Sequence, residues 1–290
     1  MSNIPQVTLN NGLKMPLEGF GVFKITDLKQ CKQAVLDALN TGYRLIDTAQ
    51  HYENEQAVGS AIAESKVPRS DIFLTTKIFP NNFGYQKTKQ SLKISLKKLQ
   101  TDYLDLVLLH HPFNDYYGAY RALEDLYHEG KIKAIGVSNF YTDRYIDLVH
   151  FSNIVPAIDQ VETHVFHQRK TLHKYLKKYG TQIESWGPLA QGRDHIFTNP
   201  TLVNIGKKYH KTAAQIALKF LAQNKIIIIP KSAHKKRMQQ NIDLWDFQLS
   251  ASDIQNISQL DTGKSQVMDH EDPAFVEQFM KAIDAFEKES

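Results

Sequence analysis

Four residues with complementary acid–base chemistry lie at or just beyond the ends of short apolar runs. Asp47 closes RLID, Tyr52 follows in DTAQHY, Lys77 closes FLTTK, and His110 closes LVLLH. A free tyrosine has a pKa of about 10, too high for easy proton donation near neutrality. A neighbouring ammonium lowers it by stabilising the phenolate. A carboxylate holds that ammonium in place, and a neutral imidazole can hydrogen-bond a substrate oxygen. Together the four make a proton donor for an oxygen gaining negative charge, as a carbonyl oxygen does when hydride reaches its carbon. No side chain supplies hydride, so the scheme requires a nicotinamide cofactor. Ser138, Asn139 and Gln160 can hydrogen-bond a carboxamide, and Trp186 offers a flat face. KSAHKKR at 231–237 joins basic side chains to a helix start, a combination that attracts phosphate. Blander readings stand beside these. Asp47 can cap a turn with Lys77 merely balancing it, Trp186 can pack as a core aromatic, and KSAHKKR can be a solvated helix face.

The elements that must position these residues alternate along the chain. Short apolar strands read as EGFGVF, YRLIDTA, IFLTTKI, LDLVLLH, IKAIGVS, PAIDQVE, TQIESWGP and IIIIPKS. Amphipathic helical stretches separate them, such as DLKQCKQAVLDALNTG with Asp27 as N-cap and Gly42 at the stop. Eight strand–helix units favour a closed (β/α)8 barrel over an open doubly wound sheet. Active sites of such barrels lie at the C-terminal ends of the strands, where the residues above fall. Val7 to Leu9 and Leu13 to Pro16 flank a tight-turn Asn10-Asn11-Gly12, which predicts an N-terminal hairpin. AQGRDHIFTNP reads as a loop before a short extra helix. From Leu249 onward the chain reads as one helix, SASDIQNISQLD, and a polar, mobile tail. In VLLHHP at 107–112, strand alternation predicts that His110 and His111 point in opposite directions.

With 290 residues, 42% hydrophobic and 23% charged, the chain can bury a large core, and residues 1–290 read as a single domain. A balance of 35 basic over 31 acidic residues is too mild to imply a nucleic-acid partner. No run approaches the roughly 18 to 20 apolar residues of a membrane span. MSNIPQVTLNNG lacks the pattern of a secretory leader, and the lone Cys31 cannot form an internal disulfide; both fit a cytoplasmic protein.

The motifs resemble those of the aldo-keto reductase superfamily. The matching pieces are DTAQHYENE at 47–55, Lys77 in TTKIF, LLHHP at 108–112, GVSNF at 136–140, DQVETH at 159–164, ESWGPLAQG at 184–192 and IPKSAHKKRMQQN at 229–241. They run in the family's order from the N-terminal hairpin to DHEDPAFV at 269–276. ESWGPL and the short connection after it look most like the bacterial and fungal branch that includes the 2,5-diketo-D-gluconate reductases.

The resemblance implies a (β/α)8 TIM barrel closed at its base by the hairpin and extended by C-terminal helices and loops. It implies metal-free, NADPH-dependent reduction of small-molecule aldehydes or ketones by a monomer or weak homo-oligomer. Tyr52 would donate the proton, Lys77 and Asp47 would tune it, and His110 would orient the carbonyl. Ser138, Asn139 and Gln160 would hold the carboxamide, with Trp186 stacked on the nicotinamide. Val22, Gly187, Leu189, Gln191, Lys231, Ser232, Arg237, Gln240 and Asn241 would complete the cofactor contacts, Lys231 and Arg237 favouring NADPH over NADH. Phe23, His51, Phe79 and His111 would face the substrate. His111 stands where tryptophan is usual, Asp159 where asparagine is usual, Gln240 for a glutamate and Val22 for a threonine. Two other function classes remain open from sequence alone. One is a metal-dependent barrel using His164 and His167. The other is a redox-sensing regulatory subunit of the same fold with little turnover.

Overall fold

The computed structural model describes residues 4–289; residues 1–3 and residue 290 lie outside the described residues. The N-terminal hairpin pairs β1 (Gln6–Thr8) antiparallel with β2 (Lys14–Pro16). Gly12 adopts φ +84° in the turn, a conformation that glycine takes without a Cβ clash. Asn10 Nδ2 donates to the carbonyls of Val155 and Pro156, and Asn11 Nδ2 to that of Lys133. Those carbonyls precede two barrel strands, so the hairpin lies across the base, as the family resemblance implies.

Eight parallel strands follow: β3 (Phe20–Gly21), β4 (Leu45–Asp47), β5 (Phe73–Ile78), β6 (Leu106–Leu109), β7 (Ile135–Ser138), β8 (Ile158–Glu162), β9 (Gln182–Trp186) and β10 (Ile227–Ile228). Each pairs with the next in sequence. Gly19 N donates to Ile228 O at 2.8 Å and Ile228 N to Leu17 O at 3.0 Å, which joins the last strand to the first and closes the barrel. All eight strands of the sequence reading are present, but the first and last shrink to two residues each. Pro230 ends the ladder because it has no N–H to give. Gly19 is required at the closure: a Cβ there would lie 2.4 Å from the Leu45 side chain.

Eleven α-helices occur among the described residues. They are α1 (Leu28–Thr41), α2 (Glu55–Glu64), α3 (Tyr85–Leu99), α4 (Tyr116–His128), α5 (Thr142–Phe151), α6 (Lys170–Tyr179), α7 (Pro200–Tyr209), α8 (Ala213–Gln223), α9 (Lys235–Ile242), α10 (Ala251–Ser258) and α11 (Pro273–Glu289). Asp27 caps α1 through Gln30 N, and Gly42 ends it in the left-handed region. Thr212 and Gln215 form a capping box at α8. Every residue of β5, β6, β7 and β8 is buried, as expected where helices cover a parallel sheet. No helix of the described residues is long and apolar enough to cross a membrane.

The C-terminal stretch differs from its sequence reading. The predicted mobile tail contains α11, a 17-residue helix. Asp272 Oδ1 accepts from Ala274 N, and Pro273 occupies the first helical position. Proline there costs no hydrogen bond, so DP is a start signal rather than a break.

Candidate active site at the barrel mouth

The C-terminal ends of β4 and β5 bring Asp47 and Lys77 together. Lys77 Nζ lies 2.6 Å from Asp47 Oδ1, and the two side chains are 0% and 2% exposed. Lys77 also donates to Thr48 O at 3.0 Å and to the Tyr52 hydroxyl at 3.3 Å. Burial pulls the Lys77 pKa down, but Asp47 and Tyr52 outweigh it and raise it overall.

Tyr52 ends a one-turn helix, Gln50–Tyr52, held from several sides. Gln50 Oε1 accepts from Phe79 N and Asn82 Nδ2. Beyond it, Asn54 accepts from Thr48 Oγ1 and donates to Val22 O. Glu55 accepts from Thr76 Oγ1 and Ser95 Oγ. Sequence reading found Tyr52 but not this polar scaffold. Its lysine-lowered pKa is only part of the outcome: burial raises the Tyr52 pKa, Lys77 opposes that, and the net shift is upward. Tyr52 therefore keeps its proton across the neutral range.

His110 packs edge-on to Tyr52, ring centroids 5.8 Å apart. Its pKa lies well below the usual imidazole range because of burial and then the neighbouring His111, so it is neutral. The expected divergence of His110 and His111 is wrong. Their rings stack at 4.6 Å and 13°. β6 ends at Leu109, so both histidines lie past the alternating segment, in the turn before Pro112.

Gln160 joins the cluster from β8, its Nε2 donating to Asp47 Oδ2 at 2.9 Å. Ser138 Oγ donates to Gln160 O, and Asn139 Nδ2 donates to His110 O and Ser138 Oγ. Asn139 holds φ +62°, a left-handed position that asparagine tolerates well. Its Oδ1 accepts from Trp186 Nε1 at 2.8 Å, so the indole is held at the rim rather than packed in the core. Asp159 does not join them. It is fully buried, its carboxyl raised by burial, and its electrostatic neighbours are Arg169 and Tyr145 of α5. Strand alternation turns it away from Gln160, so its effect on a carboxamide is at most indirect.

Val22 apart, the other residues expected to touch the cofactor follow β9 and β10 in the chain. Gly187, at φ +62°, turns the chain after β9 toward Leu189 and Gln191. Lys231 and Ser232 follow β10, and α9 carries Arg237, Gln240 and Asn241. His234 caps α9 without a side-chain hydrogen bond, which leaves its first N–H groups open to an anion. Val22 is buried, and its carbonyl accepts from Asn54 Nδ2.

Phe23, His51, Phe79 and His111, the residues expected to face the substrate, lie in one run of ring contacts about Tyr52 and His110. Phe23 lies 4.9 Å from the Tyr52 ring, and His51 stacks on Phe79 at 4.2 Å. The remaining wall comes from the C-terminal stretch. His270 meets His111 at 5.2 Å and Phe113 at 5.0 Å, and Phe279 of α11 meets His111 at 4.6 Å. Burial lowers the His270 pKa to about 4, so this wall too is neutral. Glu162, at the end of β8, holds the segment down: its oxygens accept from Ser265 Oγ at 2.5 Å and Gln266 N at 2.8 Å. Among the described residues no three His, Cys, Asp or Glu side chains form a metal cage. His164 instead pairs with Glu162 at 3.0 Å, beside a buried, neutral His167.

Sequence reading missed Glu184 and His270. Glu184 was within reach: it stands two residues before Trp186 on one strand, hence on the same face. His270 had no periodic signal.

Comparison with known proteins gives a concordant result. Residues 19–262 match the aldo/keto reductase family model. The chain is 42% identical over 255 residues to glyoxal reductase of Bacillus subtilis, covering 88% of this chain and 92% of that protein. It is 38% identical over 267 residues to methylglyoxal reductase DkgA of Escherichia coli, covering 91% and 96%. An aldo-keto reductase of Bombyx mori, solved in complex with NADP, superposes with a TM-score of 0.85 at 32% identity, over 92% of this chain and 95% of that one. This chain belongs to the aldo/keto reductase family.

Proposed function

We propose that a single barrel domain carries out NADPH-dependent reduction of small aldehydes and ketones, with Tyr52 as the proton donor. The observation that carries this reading is the buried chain of contacts from Asp47 through Lys77 to the Tyr52 hydroxyl, beside a neutral His110. Bound NADPH supplies hydride to the carbonyl carbon. The chain does the rest. His110 hydrogen-bonds the carbonyl oxygen, Tyr52 delivers its proton to that oxygen, and the Lys77 ammonium stabilises the phenolate left behind. Asp47 keeps Lys77 charged and fixed.

The residues present fit the cofactor. Gln160 Oε1 receives no hydrogen bond among the described residues, so it is free for a carboxamide N–H. Ser138 and Asn139 lie beside it, and Trp186 stands at the rim. Lys231, Arg237 and the open start of α9 offer cations and N–H groups to a 2′-phosphate, which favours NADPH over NADH. The NADP bound in the Bombyx mori structure supports this choice. The wall of neutral imidazoles and phenyl rings suits a small uncharged carbonyl with a second oxygen, and the glyoxal and methylglyoxal reductases among the relatives support that class. The buried lone Cys31 fits a reducing cytoplasm, and no feature of the mouth calls for a second subunit.

The test is cofactor absorbance decay with glyoxals, aldehydes and ketones, run with NADPH and NADH, for wild type and Tyr52→Phe. Wild type should turn over with NADPH, and the variant should lose at least about 100-fold in kcat while binding NADPH normally. Retention of most activity by the variant would remove Tyr52 from its role. Tight NADPH binding by a wild type that reduces nothing would favour a redox-sensing subunit.

A further inference from the structure

The mechanism above does not use Glu184, a buried carboxyl beside the Asp47–Gln160 contact. Glu184 lies in β9 opposite Gln160 of β8, one layer below Trp186, and is 0% exposed. An apolar side chain would fill that place more cheaply, because a buried carboxyl must be desolvated. Its Oε2 accepts from Gln160 Nε2 at 2.9 Å, while its Oε1 has no partner among the described residues.

The same Gln160 Nε2 donates to Asp47 Oδ2, also at 2.9 Å. An amide nitrogen carries two hydrogens, so both are now spent. Only Gln160 Oε1 remains to face the mouth, and it is an acceptor. Flipping the amide would set that oxygen against Asp47 Oδ2 and replace the two N–H donations to Asp47 and Glu184, leaving its N–H groups pointing at the mouth. Asp47 alone engages one hydrogen; Glu184 engages the second.

We propose that Glu184 is a positioning residue that, with Asp47, locks the Gln160 amide so that its Oε1 receives the NH2 of the nicotinamide carboxamide. This inference rests on the NADPH reading and adds a discrimination to it. The site selects a cofactor whose ring substituent can donate. Burial and the neighbouring Asp47 raise the Glu184 pKa to about 8, with Gln160 and Lys77 opposing. In either protonation state one Glu184 oxygen can accept from Gln160 Nε2.

The test compares binding of NADP+ with binding of its 3-acetylpyridine analogue, in which a methyl group replaces the carboxamide NH2. Dissociation constants are measured by calorimetry for wild type, Glu184→Gln and Glu184→Met. Wild type should prefer NADP+ by about tenfold, the worth of one well-placed hydrogen bond. Glu184→Gln keeps an acceptor for Gln160 and should keep that preference. Glu184→Met should reduce it to about twofold or less, mainly by weakening NADP+. A Met variant with the wild-type preference overturns the proposal, and so does a Gln variant that loses as much as the Met variant. Failure of the wild type to bind either dinucleotide would instead overturn the NADPH reading itself.

Discussion

Removing the Lys77 ammonium should destabilise the fold as well as stop the chemistry, and the geometry sets the size of the effect. Lys77 and Asp47 are almost completely buried, 2.6 Å apart. In Lys77→Met the Asp47 carboxylate loses its cation and retains Gln160 as its side-chain donor. Thr48 O and the Tyr52 hydroxyl lose a donor as well. Breaking a buried pair by removing one member costs about 3–5 kcal/mol, because the survivor keeps its desolvation penalty without its compensation. Replacing both members removes that penalty. Asp47→Asn/Lys77→Met should therefore recover at least about 2 kcal/mol of the loss, although it remains inactive. Guanidinium unfolding of wild type, the two single variants and the double variant gives the coupling energy directly. A Lys77→Met protein within about 1 kcal/mol of wild type would refute the reasoning, and so would a double variant less stable than both singles. Either outcome would mean that the pair is solvated and that Lys77 exerts little force on Tyr52.

Two further perturbations probe the C-terminal wall. Burial lowers the His270 pKa to about 4, from an ordinary value of 6.5. The unfolded chain therefore takes up a proton below about pH 6.5 that the folded chain refuses until about pH 4. Stability from this group is complete above pH 6.5 and falls as pH drops toward 4. His270→Phe should gain on wild type progressively across that window in urea unfolding, whereas parallel curves would show that His270 is solvated. Glu162 is pulled down to about 2: burial acts the other way, but His164, Ser265 and Gln266 donate to it. Its contribution is present above its ordinary pKa of 4.5 and is lost as pH falls toward 2. Glu162→Gln should speed amide exchange over residues 265–280 at least tenfold at neutral pH while leaving the barrel strands protected. Uniform protection in the variant would mean that other contacts hold the segment.

The sequence made the barrel legible because each strand is a short apolar run followed by a helix with readable ends. Asp27 and Gly42 are local signals, and local signals survive without tertiary knowledge. Asp47, Lys77 and His110 were readable for the same reason: each lies at or next to the C-terminal end of a strand, and the strand ends of a barrel share one mouth. What escaped was set by tertiary context. The terminal strands shortened because closure is made by only a few bonds between Leu17–Gly21 and Ile228–Pro230. The stacking of His110 on His111 escaped because alternation has no force beyond Leu109. Glu184 looked like an ordinary polar residue until β8 set Gln160 against it. α11 was hidden by its DP start, and its role by distance: Phe279 lies far along the chain from the His111 that it touches.

The wall made by His270 and Phe279 separates two kinds of information along the chain. The residues of the proposed proton transfer are all in place by His110 in the order of synthesis, whereas His270 and Phe279, which touch His111, are encoded more than a hundred residues later. That late portion rests on the barrel through hydrogen bonds to Glu162 and ring contacts, with no strand of its own in the sheet. Under the proposed function, substitutions there would retune substrate preference without threatening the scaffold. Inheritance can therefore hold the chemistry constant and let the last few dozen codons explore new substrates.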